Sequence, residues 1–447
     1  MTIMNEKDAK ALLTKVIKLS KADEIEVNLN GLEGGNIRYA RNSVSTAGEE
    51  SDLTLAVQST FGKRTGVATI NEFDNASLAK VVRRSEELAK LAPESEEFTP
   101  VFGKQKYLSS KTYFDSTASV TPEDRAQAAE DSIAPSKKNK LVSSGFLEET
   151  VSFTAIMNNK GLFAYNAGTN VDFSVTIRTE DGTGSGWVTR DFSDYKKLDT
   201  AKASSIAISK AKNSVNAKAM EPGKYTVILE PAASVGLLNN MVNNMGQRTA
   251  DEGRSFLSYK PKEGEDLEKV PKNRKGEKMF DERVNIYSDP QHPDVPVAPF
   301  GGDGYPRVKT EWVKNGMVVN MPNTPYWANK TGVDYMPGGG NIIMTGGSES
   351  LEDMIASTRR GVLVTRLWYI RSLDPQTLLY TGLTRDGTFY IEDGKIKFPI
   401  KNFRFNESPI VMLNNIEALG KPQRIDGNMI PSMKIRDFTF SSLSDAV

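Results

Sequence analysis

Apolar and polar positions up to about residue 215 alternate in short runs set between stretches of helical period. Residues 4–20 put Leu12, Leu13, Val16 and Ile17 on one stripe, which predicts a helix. Strands are predicted at 24–28, 37–39, 53–59 and 64–70, then a helix over 75–91 stopped by Pro93. The same order follows again. Thr121 is a plausible N-cap, with Pro122 at the first helical position of a helix to about 133. Strands come next at 142–146, 150–158, 161–165, 172–179 and 186–189, then a helix over 197–212. The two halves also match in register. Ala47-Gly48 and Asp52 recur as Ala167-Gly168 and Asp172. At the same offset, Gly62, Gly66, Thr69, Asp74 and Leu78 recur as Gly182, Gly186, Thr189, Asp194 and Leu198. Residues 1–215 therefore read as a duplicated α+β unit of strand, hairpin and helix, with the matched glycines expected at turns that need positive φ.

The pattern changes past Glu221-Pro222-Gly223. A short apolar run, 227–229, reads as a buried strand end, and Pro231 sits where a helix would begin. At about 100° per residue, Leu237, Leu238, Met241, Val242 and Met245 share one face of that helix, over 232–245. Asn239, Asn240, Asn243 and Asn244 share the other. Solvated helix faces are usually built from charged residues and Gln, and Asn costs roughly 0.5–0.7 kcal/mol per position relative to Ala. Four neutral amides suggest a face looking into a cavity or another chain; a poorly optimised surface helix is the plainer reading.

The rest reads as mostly strand. Residues 259–280 form a charged, Gly- and Pro-rich loop, and 289–306 a second loop around Gly301-Gly302-Asp303-Gly304. Strands are expected at 308–313, 317–321, 341–345, 362–371, 378–385, 387–391, 395–398 and 432–440, with Asp386-Gly387 and Asp393-Gly394 as hairpin turns. Helices are expected over 350–359 and 405–418. The expected organisation is thus a duplicated α+β domain over 1–215 and a β-rich domain over 216–447.

Composition narrows the chemistry. Lys plus Arg (57) equals Asp plus Glu (57), so no net field favours nucleic acid. There is no 18-residue apolar run to cross a bilayer and no signal-peptide h-region, so a cytoplasmic protein is expected. Without cysteine, there can be no disulfide, thiolate zinc site or cysteine nucleophile. The single histidine, His292, lies in a proline-rich loop with no second imidazole to help it grip zinc and no G-x-S-x-G elbow to serve. Gly338–Gly340 precedes a strand rather than a helix, which argues against a phosphate cradle.

Three stretches resemble one family: VILEPAASVGLLNNMVNNMGQ, DPQHPDVPVAPFGGDGYPRVKTEWVKNGMVVN, and the run 362–408 with its T-R-x-W-Y, D-P-x-T-L-L, T-G-L-T-R-D-G and N-x-R-F-N motifs. Together they resemble the TldD/PmbA (TldE) proteins, called modulators of DNA gyrase and regarded as zinc metalloproteases. In the catalytic TldD branch the helix carries H-E-x-x-x-H, and a C-terminal cysteine adds a ligand. Alignment on VILEP puts Asn239, Asn240 and Asn244 at the first histidine, the glutamate and the second histidine. The resemblance therefore implies a metal-free, cofactor-free subunit. Its partner would be a TldD-like catalytic chain in a heterodimer enclosing a cavity for unfolded peptide. The C-terminal half reads closer to TldD than to typical TldE, which leaves a self-associating homodimer as the alternative. Asn243, Asp303, Gly304 and Arg385 are candidate cavity or peptide-binding residues. An enzyme in its own right would draw on Asp303, Asp374, Arg385 or Asp386, residues equally explained as turn formers and ion pairs. A gyrase- or nucleic-acid-binding module is the third alternative.

Overall fold

Alternation carried further than the turn residues suggest gives the N-terminal half four long strands. The computed structural model describes residues 3–266 and 269–444. Leu267 and Glu268, inside the charged loop, lie outside the described residues, as do Met1, Thr2 and 445–447. The first half runs α1 (Glu6–Ile17), β1 (Glu24–Ala40), β2 (Ser43–Phe61), β3 (Arg64–Ile70) and α2 (Asn75–Leu91). After a short α3 (Asp115–Ala118) come α4 (Pro122–Lys138), β4 (Leu141–Asn158), β5 (Phe163–Thr179), β6 (Ser185–Phe192) and α5 (Thr200–Asn213). These strands form one antiparallel sheet in the order β3-β2-β1-β4-β5-β6. β1 and β4 meet at its centre, and each flank repeats the other.

One face of the sheet is apolar. Ile25, Val27 and Leu29 of β1 pack with Leu13 of α1 and Leu78 and Val82 of α2, while Val171, Phe173 and Val175 of β5 pack with Ala129 of α4 and Ala207 of α5. The helices start on the expected chemistry. Asp74 accepts from Ala76 N and Ser77 N, and Thr121 and Asp124 form a capping box ahead of Pro122. Two of the matched glycine pairs differ in role. Gly62 and Gly182 sit at turns with φ of 58° and 74°, as expected. Gly66 and Gly186 lie inside β3 and β6 instead. A Cβ there would come within 2.2 Å of Ala89 N and of Ala207 O respectively, so each lets its strand approach its helix. The duplication therefore extends to packing.

The second half opens with β7 (Gly223–Leu229), α6 (Pro231–Asn243), α7 (Gln247–Asp251), β8 (Ile286–Ser288), β9 (Thr310–Lys314) and β10 (Met317–Val318). Next come α8 (Pro325–Thr331), β11 (Ile343–Met344), α9 (Leu351–Ala356), β12 (Arg360–Asp374), β13 (Leu379–Glu392), β14 (Lys395–Pro399) and β15 (Phe403–Glu407). It closes with α10 (Pro409–Asn414), β16 (Ile416–Leu419), β17 (Gln423–Ile425), β18 (Asn428–Ile430) and β19 (Met433–Leu443). The strands β12-β7-β19-β15-β13 close on themselves, because β12 pairs with both β7 and β13. Val227, Val362, Phe403, Phe405 and Phe438 from this ring join one apolar cluster with Leu237 of α6. A second sheet, β10-β9-β8-β11-β18-β17, carries the loops around α6.

Two expectations fail here. Residues 405–418 are not one helix but the end of β15, the six-residue α10 and β16, because Phe403 and Phe405 alternate into the core before Pro409 starts a turn of helix. Asp393-Gly394 does turn β13 into β14, but Asp386-Gly387 lies within β13. There the register with β12 slips, so the pair forms a bulge with Asp386 at φ 54°.

Candidate functional site

Helix α6 begins where the sequence places it, with Glu230 as N-cap residue and Pro231 first in the helix. Leu237, Leu238, Met241 and Met245 are fully buried. On the far side, Asn239 and Asn243 line a cavity of 930 Å³. The facing wall is the polar side of the N-terminal sheet: Thr150 and Ser152 of β4, with Asn170 and Gly168 directly opposite them on β5. Loops close the remainder with Gly301, Asp303, Arg307, Gly339, Arg424 and Asp426. Gly339 brings the loop backbone so near that a Cβ would lie 1.9 Å from Ser288 Oγ. Amides and hydroxyls thus face one another across the space.

The four asparagines do not act as one face. Asn239 and Asn243 line the cavity, whereas Asn240 and Asn244 do not. Asn244 caps the end of α6, where its Nδ2 donates to Asn240 O at 2.8 Å and to the Tyr380 hydroxyl at 3.3 Å. Asn244 follows the last helical residue, and these contacts turn its side chain away from the cavity that Asn239 lines.

Asp303 is the cavity carboxylate with the most elaborate setting. Its Oδ2 accepts from the Tyr335 hydroxyl at 2.5 Å and its Oδ1 from Tyr305 N at 3.0 Å. Burial, with the Asp303 hydrogen bond and charge, drives the Tyr335 hydroxyl far above the usual phenol range. Burial also raises Glu26, on the polar side of β1, to about 7, and the charge of Asp303 adds to the shift against hydrogen bonds from Asn28 and Asn158.

The other candidates lie elsewhere. Gly304 is not among the residues lining the cavity: its carbonyl accepts from Tyr107 Oη at 2.8 Å, and a Cβ there would lie 2.8 Å from Leu162 Cδ1. Arg385 is away from the cavity, its guanidinium 4.1 Å over the Trp368 ring. Asp386 accepts from Ser185 Oγ and pairs with Arg366, and Asp374 caps the β12–β13 turn through Gln376 N and Thr377 Oγ1. His292 Nδ1 accepts from Asp294 N, and burial lowers the imidazole pKa. Among the described residues, no group of three or more His, Cys, Asp or Glu is placed to hold a metal ion. The amides on α6 are poor ligands for zinc, so the zinc of the catalytic TldD branch does not fit these residues.

The sheet wall was missed in the sequence. Its signal is the alternation Asn166-Ala-Gly168-Thr-Asn170-Val-Asp172-Phe, polar at every second position and short of the charges that solvent-facing strands carry.

Residues 222–442 match the PmbA/TldA metallopeptidase C-terminal domain, 115–215 the central domain and 26–89 domain 1. A protein named Metalloprotease from Methanothermobacter thermautotrophicus is 22% identical over 314 residues, which span 63% of this chain and 64% of that protein. Among solved structures, TldE from Thermococcus kodakarensis has a TM-score of 0.85 at 19% identity, covering 97% of this chain and 99% of that one. A candidate modulator of a DNA gyrase from Thermotoga maritima has a TM-score of 0.84 at 16% identity, covering 97% and 100%. At such identities the solved structures establish a shared fold.

Proposed function

Because the chain belongs to the PmbA/TldD metallopeptidase family, we propose that it is a metal-free subunit of a TldD/TldE-type peptidase complex. It holds extended peptide in the cavity while a metal-bearing chain cuts. One observation carries this reading: where the TldD resemblance implies imidazoles and a glutamate, α6 presents amides, with Asn239 lining the cavity. An amide cannot act as a general base near neutral pH. The cavity lies near the upper end of the range of about 300–1,000 Å³ usual for ligand sites, and its hydroxyls and amides can both donate to and accept from a peptide backbone. The similar fold of a TldE is consistent with the same reading. Metal analysis of the purified full chain tests it, together with hydrolysis of unfolded casein. The expected result is no stoichiometric zinc and no hydrolysis by the chain alone. One tightly held zinc per chain with chelator-sensitive hydrolysis would reject it.

The Asp303–Tyr335 pair beside the near-neutral Glu26 favours a second reading, a hydrolase in its own right. Hydrolysis that survives chelator and disappears in Asp303→Asn would establish that reading in place of the first.

A further inference from the structure

Beyond its neutral wall, the polar side of the N-terminal sheet carries a row of carboxylates. Glu148 of β4 lies directly opposite Asp172 of β5, and Asp172 directly opposite Asp191 of β6. Asp426, next after β17, joins the row from the C-terminal half, and its carboxyl is raised by burial and by the charge of Asp191. Like charges directly opposite on neighbouring strands destabilise a sheet, so packing alone does not account for this row. Burial, with the charges of Asp191, Glu148 and Asp426, lifts Asp172 to about 6.

Neutralisation is incomplete. Arg424 Nε donates to Asp191 Oδ2 at 2.8 Å, and Gly427 N donates to the same oxygen at 2.9 Å. Asp191 is 4% exposed, yet its Oδ1 has no hydrogen-bond partner. Leaving a buried carboxylate oxygen in that state is costly unless something else supplies a donor. Of the row, Asp426 lines the cavity, and residues flanking two of the others do so as well. Asn170 and Ser193, two residues from Asp172 and Asp191 on the same strands or just past them, line it, as do Arg424 and Asp426 themselves.

We propose that this acidic row is a subsite for the cationic group of the bound ligand, an ammonium or guanidinium, so that the cavity selects extended peptides bearing positive charge. The proposal rests on the peptide-holding reading above. The described carboxylates do not converge as metal ligands. Carboxylates on adjacent strands, about 4.8 Å apart, suit a group with several donors that can bridge two of them. Lysine, arginine and a free peptide N-terminus share this chemistry.

Fluorescence anisotropy on the full chain tests it with unstructured peptides of one length. The series comprises N-acetylated peptides carrying one Lys, Gln or Glu, and the Gln peptide with a free N-terminus. The acetylated Lys peptide should bind about tenfold tighter than its Gln counterpart, and the Glu peptide more weakly than either. A comparable gain confined to the free N-terminus would assign the subsite to the terminal ammonium instead of a side chain. In Asp172→Asn and in Asp426→Asn the ratio between charged and neutral peptides should fall towards 1. The Asp172 side chain stands on the polar side of the sheet, outside its apolar core, so its variant is expected to fold, and thermal unfolding verifies this. Equal affinity for all peptides would overturn the proposal and leave the peptide-holding reading standing. Binding of none would overturn both.

Discussion

The N-terminal sheet meets the C-terminal half in two places along the same side of β6, and the two are built oppositely. At one end, Ser185 Oγ donates to Asp386 Oδ1 at 2.5 Å, while Arg366 pairs with Asp386 at 2.5 Å and lies 4.1 Å over the Trp187 ring. Lys210 of α5 adds a bond to Glu230, the N-cap residue of α6, at 2.7 Å. At the other end, Asp191 keeps one buried oxygen without a hydrogen bond, as Asp386 Oδ2 does in the clamp, but here Asp172 and Asp426 crowd it where the clamp has a guanidinium, and its neighbours open onto the cavity. Similar residue types serve a closed clamp in the first case and an unfilled space in the second. Charges enclosed against their counter-charges hold the halves together. Charges left in excess beside a cavity point to a ligand that is not part of the chain.

The clamp should therefore be the more expensive place to cut. Asp386→Ala would leave the Arg366 guanidinium, buried to 17% side-chain exposure, without its counter-charge. That type of loss costs about 3–5 kcal/mol. Denaturant unfolding measures it, and a loss below about 1 kcal/mol would mean that this pair does not hold the two halves together. Ser185→Ala removes only the donor to Asp386 and should cost about 1–3 kcal/mol on the same assay.

The clamp was illegible in the sequence for a specific reason. Asp386-Gly387 has the residues of a hairpin turn, but β12 continues past it and turns it into a bulge that aims Asp386 at β6. Turn chemistry is local, and the partner strand that overrides it is not. The same limit explains the long strands. The strands expected at 24–28 and 37–39 are one strand, which runs through Gly34 and Gly35 because β2 and β4 pair with it on both sides. What was legible depended on periodicity and on capping: the start of α6 at Pro231, the helix over Asn75–Leu91, and the repeat of one unit by another. The cavity was half legible. The Asn face of α6 showed in the sequence, whereas the opposite wall comes from strands some 70 to 90 residues earlier, and only the fold sets Asn170 across from Asn243.

The acidic row should respond to pH in the direction opposite to a stabilising ion pair. Asp172 titrates at about 6 in the folded chain against an ordinary value of 3.8. The folded state therefore holds this proton more tightly, and the stability linked to it is lost as pH rises from about 4 to about 6. Asp172→Asn removes that penalty. It should raise Tm above about pH 7, with the gain shrinking to nothing below about pH 4. A gain that does not change with pH would mean that charge is not its cause.

The smallest effect on stability is expected at the cavity face of α6. Asn239 and Asn243 face the cavity from a helix of 13 residues, where each Asn is roughly 0.5–0.7 kcal/mol less favourable than Ala. No side-chain hydrogen bond to either residue offsets this among the described contacts. The double variant Asn239→Ala/Asn243→Ala should then unfold at equal or slightly higher denaturant, by up to about 1 kcal/mol, while its affinity for extended peptide falls. Truncation at the clamp costs stability. Truncation at the cavity should return some, as expected of side chains kept for what they bind. A destabilisation above about 1 kcal/mol would instead make these amides part of the packing and leave the cavity an incidental gap between two halves.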